Sequence, residues 1–300
     1  MPVVPVISAS GGAGKTTLSL LLAYVLVKHV GVDPKRVLLI DLDPTAGLTL
    51  RVFGDEAYDE MCKRRRTLYH MDLDSKVKNV RVEDYVSYPG RFAEALSNVA
   101  VLPPGEDDGG DLRSRVEDWF KYGDREALVH LLDRAGAFSQ YDYVIIDTAP
   151  FFDVKYTVAA AVASKRVVVP LRPTITDITR TKRMVSALRN HNLDIDPVFI
   201  FNFDKDKHVT EAATLVSLNF KVPAAKRVNP NPKLREHIAE LENYGNVVKS
   251  AIVYRKEISD AVFPRESPSE RNEIAVCGPV VELFKALRIN APECPDYEED

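Results

Sequence analysis

Val3-Val4-Pro5-Val6-Ile7-Ser8-Ala9-Ser10-Gly11-Gly12-Ala13-Gly14-Lys15-Thr16-Thr17 opens the chain, ahead of the apolar run from Leu18 to Val27. Val3–Ile7 reads as a buried strand, and Lys15–Val30 has the period of a helix. A glycine-rich turn between strand and helix is the setting that a phosphate-binding loop requires. Glycines let backbone N–H groups turn inward around phosphate oxygens, because a Cβ would block the approach. The helix that follows points its free N–H groups and the positive end of its dipole at the same anion. On this reading Gly11, Gly12, Ala13, Gly14, Lys15, Thr16 and Thr17 form the cradle. Lys15 would reach the β- and γ-phosphates, and the Thr16 hydroxyl would ligate Mg²⁺. The plain pattern begins one glycine earlier, where this chain has Ala9.

Two further segments point to the same place. Val37-Leu38-Leu39-Ile40-Asp41-Leu42-Asp43-Pro44 and Tyr143-Val144-Ile145-Ile146-Asp147-Thr148-Ala149-Pro150 are apolar strands ending in aspartate. More strands are expected at Arg36–Ile40, Val99–Leu102, Tyr143–Ile146, Arg166–Val169 and Val198–Phe201. Helices are expected at Arg125–Ala137, Asp177–His191, His208–Asn219, Pro232–Leu241 and Val276–Leu287. Strands that are apolar on both faces, each followed by a helix, predict a doubly wound α/β fold, with a mostly parallel central sheet and helices on both faces. In such a sheet ligands sit beyond the carboxyl ends of the strands, so the loop and both aspartate strands converge on one crevice. We expect a single domain over residues 1–290, followed by an acidic tail at 291–300.

The formal net charge of −4 excludes a globally basic nucleic-acid binder. Local basic clusters remain: Lys63-Arg64-Arg65-Arg66, and Arg180, Lys182 and Arg183 after Lys165 and Arg166. The run at Lys63–Arg66 has acids nearby at Asp55, Glu56, Asp59 and Glu60. The N-terminus lacks a basic region and a small-residue cleavage site, so no secretory signal is expected. Cys62, Cys277 and Cys294 are scattered, which argues against a disulfide framework, a zinc site or a shared cluster. The six histidines show no metal spacing. A cytoplasmic protein follows, without membrane recruitment.

Taken together, these motifs resemble the ParA/MinD family of deviant Walker ATPases. The likeness rests on Gly11–Thr17, Asp41–Pro44 and Tyr141–Pro150, with Lys165–Pro170, Phe199–Asp204 and Val228–Glu236 following in the family's order. It implies a slow ATPase using ATP and Mg²⁺, with Lys15 and Asp43 catalytic and Asp43 positioning the attacking water. Thr16, Asp41 and Asp147 would hold magnesium, Thr17 would contact the α-phosphate, and Asn202 with the segment from Val228 to Pro230 would contact adenine. It also implies a homodimer formed on ATP binding, non-specific DNA as a partner on the nucleoid, and a ParB-like centromere-binding protein. One position departs from the pattern: the lysine that precedes the two glycines in the family is Ser10 here. With that lysine gone, another cation such as Lys155 or Arg172 would replace it, hydrolysis would be very slow, or the protein would switch by binding alone. A nucleotide-gated scaffold and a synthetase-type enzyme on the same fold therefore stay open.

Overall fold

The computed structural model describes all residues except 30–35, 91–95, 152, 205, 224, 227, 254–269 and 291–300, together with the side chains of 29 and 270–276. The expected acidic tail lies outside the described residues.

The chain runs β1 (Val3–Val6), α1 (Lys15–His29), β2 (Val37–Leu42), α2 (Gly47–Phe53), α3 (Asp55–Lys63), α4 (Leu68–Asp74) and β3 (Val99–Leu102). A small antiparallel hairpin, β4 (Glu106–Asp107) and β5 (Gly110–Asp111), leads into α5 (Leu112–Lys121), α6 (Ala127–Arg134) and α7 (Ala137–Gln140). Then come β6 (Tyr143–Thr148), α8 (Val154–Ala161), β7 (Arg166–Leu171), α9 (Ile175–Asn190), β8 (Asp196–Phe203), α10 (Val209–Ser217) and α11 (Pro232–Leu241). Two short strands, β9 (Asn246–Val247) and β10 (Ile252–Val253), precede α12 (Glu270–Ala286).

The main sheet has eight strands in the order β10-β8-β7-β1-β6-β2-β3, with β9 also on β8. Each pairing within it is parallel. The alternation of side chains along each strand divides the core. Val37 and Leu39 of β2, with Tyr143 and Ile145 of β6, pack under α1, α2 and α12. Their neighbours Leu38, Ile40, Val144 and Ile146 face the other way, against α5, α6 and α8. On that second face the β7–β8 half of the sheet is covered by α9, α10 and α11. The doubly wound α/β expectation is therefore met, and β1, β2 and β6, which carry the motifs, lie side by side in it.

The expected strands are present within a residue or two. Six helices are not declared by the sequence pattern: α2, α3, α4, α5, α7 and α8. All but α5 are nine residues or shorter, and α3 and α5 are charged at half or more of their positions. Their apolar stripes are correspondingly thin, and packing rather than propensity forms them. The last helix begins earlier than the sequence suggested and contains Pro279. Cys277 within it is buried and disulfide-bonded, a link that the scattered spacing of the cysteines did not signal.

Candidate functional site

The loop after β1 takes the shape its glycines permit. Gly12 (φ +71°) and Gly14 (φ +88°) lie in the left-handed region, where a Cβ is strained. At Gly14 a Cβ would also stand 1.9 Å from Asn202 Nδ2. The loop is thus closed down on the end of β8, and Asn202 Nδ2 donates to Ala13 O at 3.4 Å. Leu18 N–H donates to Gly14 O at 2.9 Å, so the N–H groups of Lys15, Thr16 and Thr17 precede the hydrogen-bond ladder of α1. Gly11 and Gly12 are exposed, while Ala13, Lys15 and Thr17 are buried.

The strand ends complete the site. Asp41 and Asp147 are register partners across β2 and β6. Thr16 Oγ1 donates to Asp147 Oδ2 at 2.8 Å, and Ser19 Oγ donates to its other oxygen at 3.1 Å. Asp41 Oδ2 accepts from Thr49 N at 2.9 Å and Thr49 Oγ1 at 2.8 Å, which ties α2 to the strand end. Asp43 is half-buried, and its Oδ1 accepts from Thr45 N at 2.9 Å and Thr45 Oγ1 at 2.7 Å. Ala46, where this turn enters α2, has φ +55° without being glycine. Such strain tends to sit at functional turns.

Charge is concentrated here under little solvent. Burial pushes the Asp41 carboxyl up to about 8, with the charge of Asp147 adding to it. Burial likewise raises Asp147 to about 6, against the opposing pull of Thr16, Lys15 and Ser19. Lys15 is lowered by burial, partly offset by Asp147 and Asp43. Its Nζ donates to Ser8 Oγ at 3.0 Å, which in turn donates to Ser10 O at 2.9 Å. Two buried polar atoms in the loop region have no hydrogen-bond partner: Ser10 Oγ and Asn202 Oδ1.

The structure thus brings Lys15, Thr16, Thr17, Asp41, Asp43, Asp147 and Asn202 together. Pro230, by contrast, is exposed beside Val228 and Asn229, and none of the three hydrogen-bonds the phosphate loop among the described residues. That segment is anchored through Asn231 N, which donates to Thr214 Oγ1 at 2.9 Å.

The two cations offered as substitutes for the absent lysine are engaged elsewhere. Lys155 pairs with Glu117, and Arg172 forms a bidentate pair with Asp177 at 2.7 and 3.0 Å. Three of the four residues in the Lys63–Arg66 run also have internal partners. Arg64 pairs with Glu60 at 2.6 Å, Arg65 with Asp74 at 2.9 Å, and Arg66 donates to Val86 O. Arg180 and Arg183 on α9 are exposed and lack an ion pair among the described residues, whereas Lys182 pairs with Glu240 at 2.5 Å.

Sequence reasoning missed Ser8, Ser19, Thr49 and Arg51. Ser19 stands four residues after Lys15, on the same side of α1, which was a usable signal. Thr49 and Arg51 lie on α2, whose existence the sequence did not declare; Arg51 Nη1 donates to Thr17 Oγ1 at 2.9 Å.

The family model described as an AAA domain matches residues 1–195. Soj, a sporulation initiation inhibitor protein of Bacillus subtilis, is 27% identical over 209 residues, covering 67% of this chain and 73% of its own. A virulence-plasmid ParA family protein of Chlamydia psittaci is 26% identical over 219 residues, covering 68% and 70%. Among solved structures, an ATP complex of a McdA variant from Cyanothece superposes with a TM-score of 0.65 over 97% of both chains, at 19% identity. At that identity the likeness is one of fold.

Proposed function

Because this chain belongs to the AAA-domain family and, within it, to the ParA/MinD P-loop ATPases, we propose that it binds ATP with Mg²⁺, hydrolyses it slowly and acts as a nucleotide switch on DNA. One observation carries the reading. Three neighbouring strand ends deliver Lys15 and Thr16, Asp41, and Asp147 into one crevice, with Thr16 already bonded to Asp147 at 2.8 Å.

The residues fit the groups they would hold. Ser10 Oγ is a buried hydroxyl without a partner in the phosphate loop, which a phosphate oxygen would satisfy. Asn202 Oδ1 is likewise buried and unpartnered, an acceptor for an amino group on the base. Thr16, Asp41 and Asp147 supply hard oxygen donors. No cluster of three or more acidic, histidine or cysteine ligands exists among the described residues, which suits Mg²⁺, an ion that keeps waters and takes phosphate oxygens. When bound, the ion would neutralise charge on the phosphates. Thr16 would face it directly, Asp41 and Asp147 would orient its water shell, and Asp43 would hold the attacking water. Phosphoryl transfer needs such positioning more than covalent chemistry.

Ser10 favours slow turnover. A cation delivered in trans is worth about 10³–10⁵ in rate for this chemistry, and this chain lacks the family's lysine. The same observation supports the second reading, a nucleotide-gated scaffold with little hydrolysis. In the first reading the ATP-bound protein is a homodimer that associates with non-specific DNA, is discharged by a ParB-like partner and so segregates or positions DNA. Arg180 and Arg183 are exposed and carry no ion pair among the described residues, which suits them to the phosphate backbone. No helix among the described residues is long and apolar enough to cross a membrane.

The test is steady-state ATP hydrolysis with and without non-specific duplex DNA at low salt, with Lys15→Ala as the blank. Turnover stimulated by DNA and abolished in Lys15→Ala supports the partition switch. ATP binding without turnover above the blank leaves the scaffold. Arg180→Glu/Arg183→Glu should weaken DNA binding and leave ATP binding intact.

A further inference from the structure

The backbone of Asp43 is held from both sides in the turn that leads from β2 into α2. Its N–H donates to Asp41 Oδ1 at 3.2 Å, and its carbonyl accepts from Ala46 N at 2.9 Å. Pro44 follows at once, and its ring fixes the next φ. Ala46 then takes the left-handed conformation (φ +55°, ψ +28°) from which the chain enters α2.

The carboxylate of Asp43 is fixed as well, but through one oxygen only. Thr45 N donates to Oδ1 at 2.9 Å, and Thr45 Oγ1 donates to the same oxygen at 2.7 Å. Oδ2 has no hydrogen bond among the described residues. Asp43 is half-buried and Thr45 exposed, so the core does not impose this contact. The charge of Asp43 acts on Lys15, Asp41 and Asp147, which places its carboxylate in the same crevice. The last torsion of an aspartate is broad and nearly two-fold. Left to itself, the group would swing and exchange its two oxygens. A group that orients an attacking water needs the opposite: one oxygen tethered and the other open toward the water. The Thr45 hydroxyl, added to the Thr45 N–H, provides that tether.

We infer that Thr45 is a positioning residue for hydrolysis, whose hydroxyl holds Asp43 Oδ1 so that Oδ2 is left to orient the attacking water. The inference rests on the reading above that Asp43 holds that water. On this account Thr45 touches neither nucleotide nor water, and acts on the rate of the chemical step through Asp43 alone.

Single-turnover phosphate release from Mg·ATP by the full chain tests it, with Mg·ATP and Mg·ADP affinities measured by isothermal titration. The proteins are wild type, Lys15→Ala as the blank, Asp43→Ala, Thr45→Val and Thr45→Ser. Thr45→Val keeps the shape and the backbone N–H but loses the hydroxyl. It should slow phosphate release by about 10-fold, less than the loss of about 10²–10⁴-fold expected of Asp43→Ala. Its affinities for ATP and ADP should match wild type, since the group acts on the chemical step alone. Thr45→Ser returns the hydroxyl and should restore most of the rate. Because Thr45 is exposed, both variants should melt near wild type without nucleotide; Thr45→Ala serves if Thr45→Val does not fold. A wild-type rate in Thr45→Val overturns the inference, as does an equal loss in Thr45→Ser. So does weaker ATP binding beside unchanged ADP binding, which would put the hydroxyl on the terminal phosphate. In each of these cases turnover by wild type above the blank leaves the hydrolysis reading standing. No release by wild type above Lys15→Ala would overturn that reading, and this inference with it.

Discussion

Asp41 and Asp147 sit side by side at the ends of β2 and β6, register partners with 0% and 1% of their surfaces exposed. Two carboxylates buried together cost the fold free energy, as their raised affinities for protons show. Thr49, Thr16 and Ser19 supply hydrogen bonds that offset part of that cost. Such an arrangement is expected where a function needs it. Asp41→Asn should therefore raise the stability of the nucleotide-free protein by about 0.5–2 kcal/mol, while diminishing the stabilisation conferred by Mg·ATP. Thermal melting with and without Mg·ATP reads both. A destabilised variant that still responds fully to Mg·ATP would show the pair to be structural.

Gly14 and Asn202 give a second, sharper case. Gly14→Ala meets two penalties: the strained φ of +88° and a Cβ placed 1.9 Å from Asn202 Nδ2. A residue forced into a sparsely populated region costs about 1–3 kcal/mol, with the clash in addition. Gly14→Ala should thus lower stability by about 2 kcal/mol or more and abolish nucleotide binding. Asn202→Ala in the same chain should remove the clash and leave the backbone strain. The two substitutions should therefore couple by about 0.5–3 kcal/mol in a double-mutant cycle, measured by urea unfolding. Strict additivity would mean the loop relaxes away from β8.

What the sequence disclosed follows physical lines. The strands β1, β2 and β6 could be read because they are apolar on both faces and end in chemistry. Asp41, Asp147, Lys15 and Thr16 were placed because a strand end in a parallel sheet has one direction to point. Thr49 and Arg51 could not be placed. Helix α2 is seven residues long, too short for periodicity to declare, and its position depends on burial against α1. The internal partners within the basic cluster were hidden for a related reason. Arg65 and Arg66 read as surface charge, yet their partners Asp74 and Val86 lie nine and twenty residues on. Only the fold brings these partners close.

The buried group at α4 and α5 is another that periodicity could not show. Arg115 Nε donates to Asp72 Oδ2 at 2.6 Å, and Trp119 Nε1 donates to Asp72 Oδ1 at 3.1 Å. Asp72 and Arg115 are 6% and 7% exposed. Removing one member leaves a buried charge and an indole N–H without their acceptor, which costs about 3–5 kcal/mol for such pairs. Arg115 keeps Asp118 at 2.7 Å, so Asp72→Ala should fall near the lower figure. Replacing both charges, as in Asp72→Leu/Arg115→Met, should cost less than Asp72→Ala alone. Urea denaturation of the three proteins decides it.

Asp74 should set part of the response to acid. Burial works against its charge, but hydrogen bonds from Lys78, Tyr85 and Arg65, together with the charge of Arg65, outweigh it and hold the carboxyl at about 2. The distances are 2.9 Å to Lys78 Nζ, 2.8 Å to Tyr85 OH and 2.9 Å to Arg65 Nη2. A carboxyl whose folded value lies below its unfolded one adds stability that is complete above the unfolded value, 3.8. That contribution fades as pH falls from there through about 2. Solvent screening reduces the gain to about 1–2 kcal/mol. Asp74→Asn should therefore be less stable than wild type by about this amount near neutral pH, and the gap should close as both proteins are taken toward pH 2. Equilibrium unfolding followed across that range checks the sign. A gap that stays constant would place the contribution of Asp74 in its hydrogen-bond geometry rather than its charge.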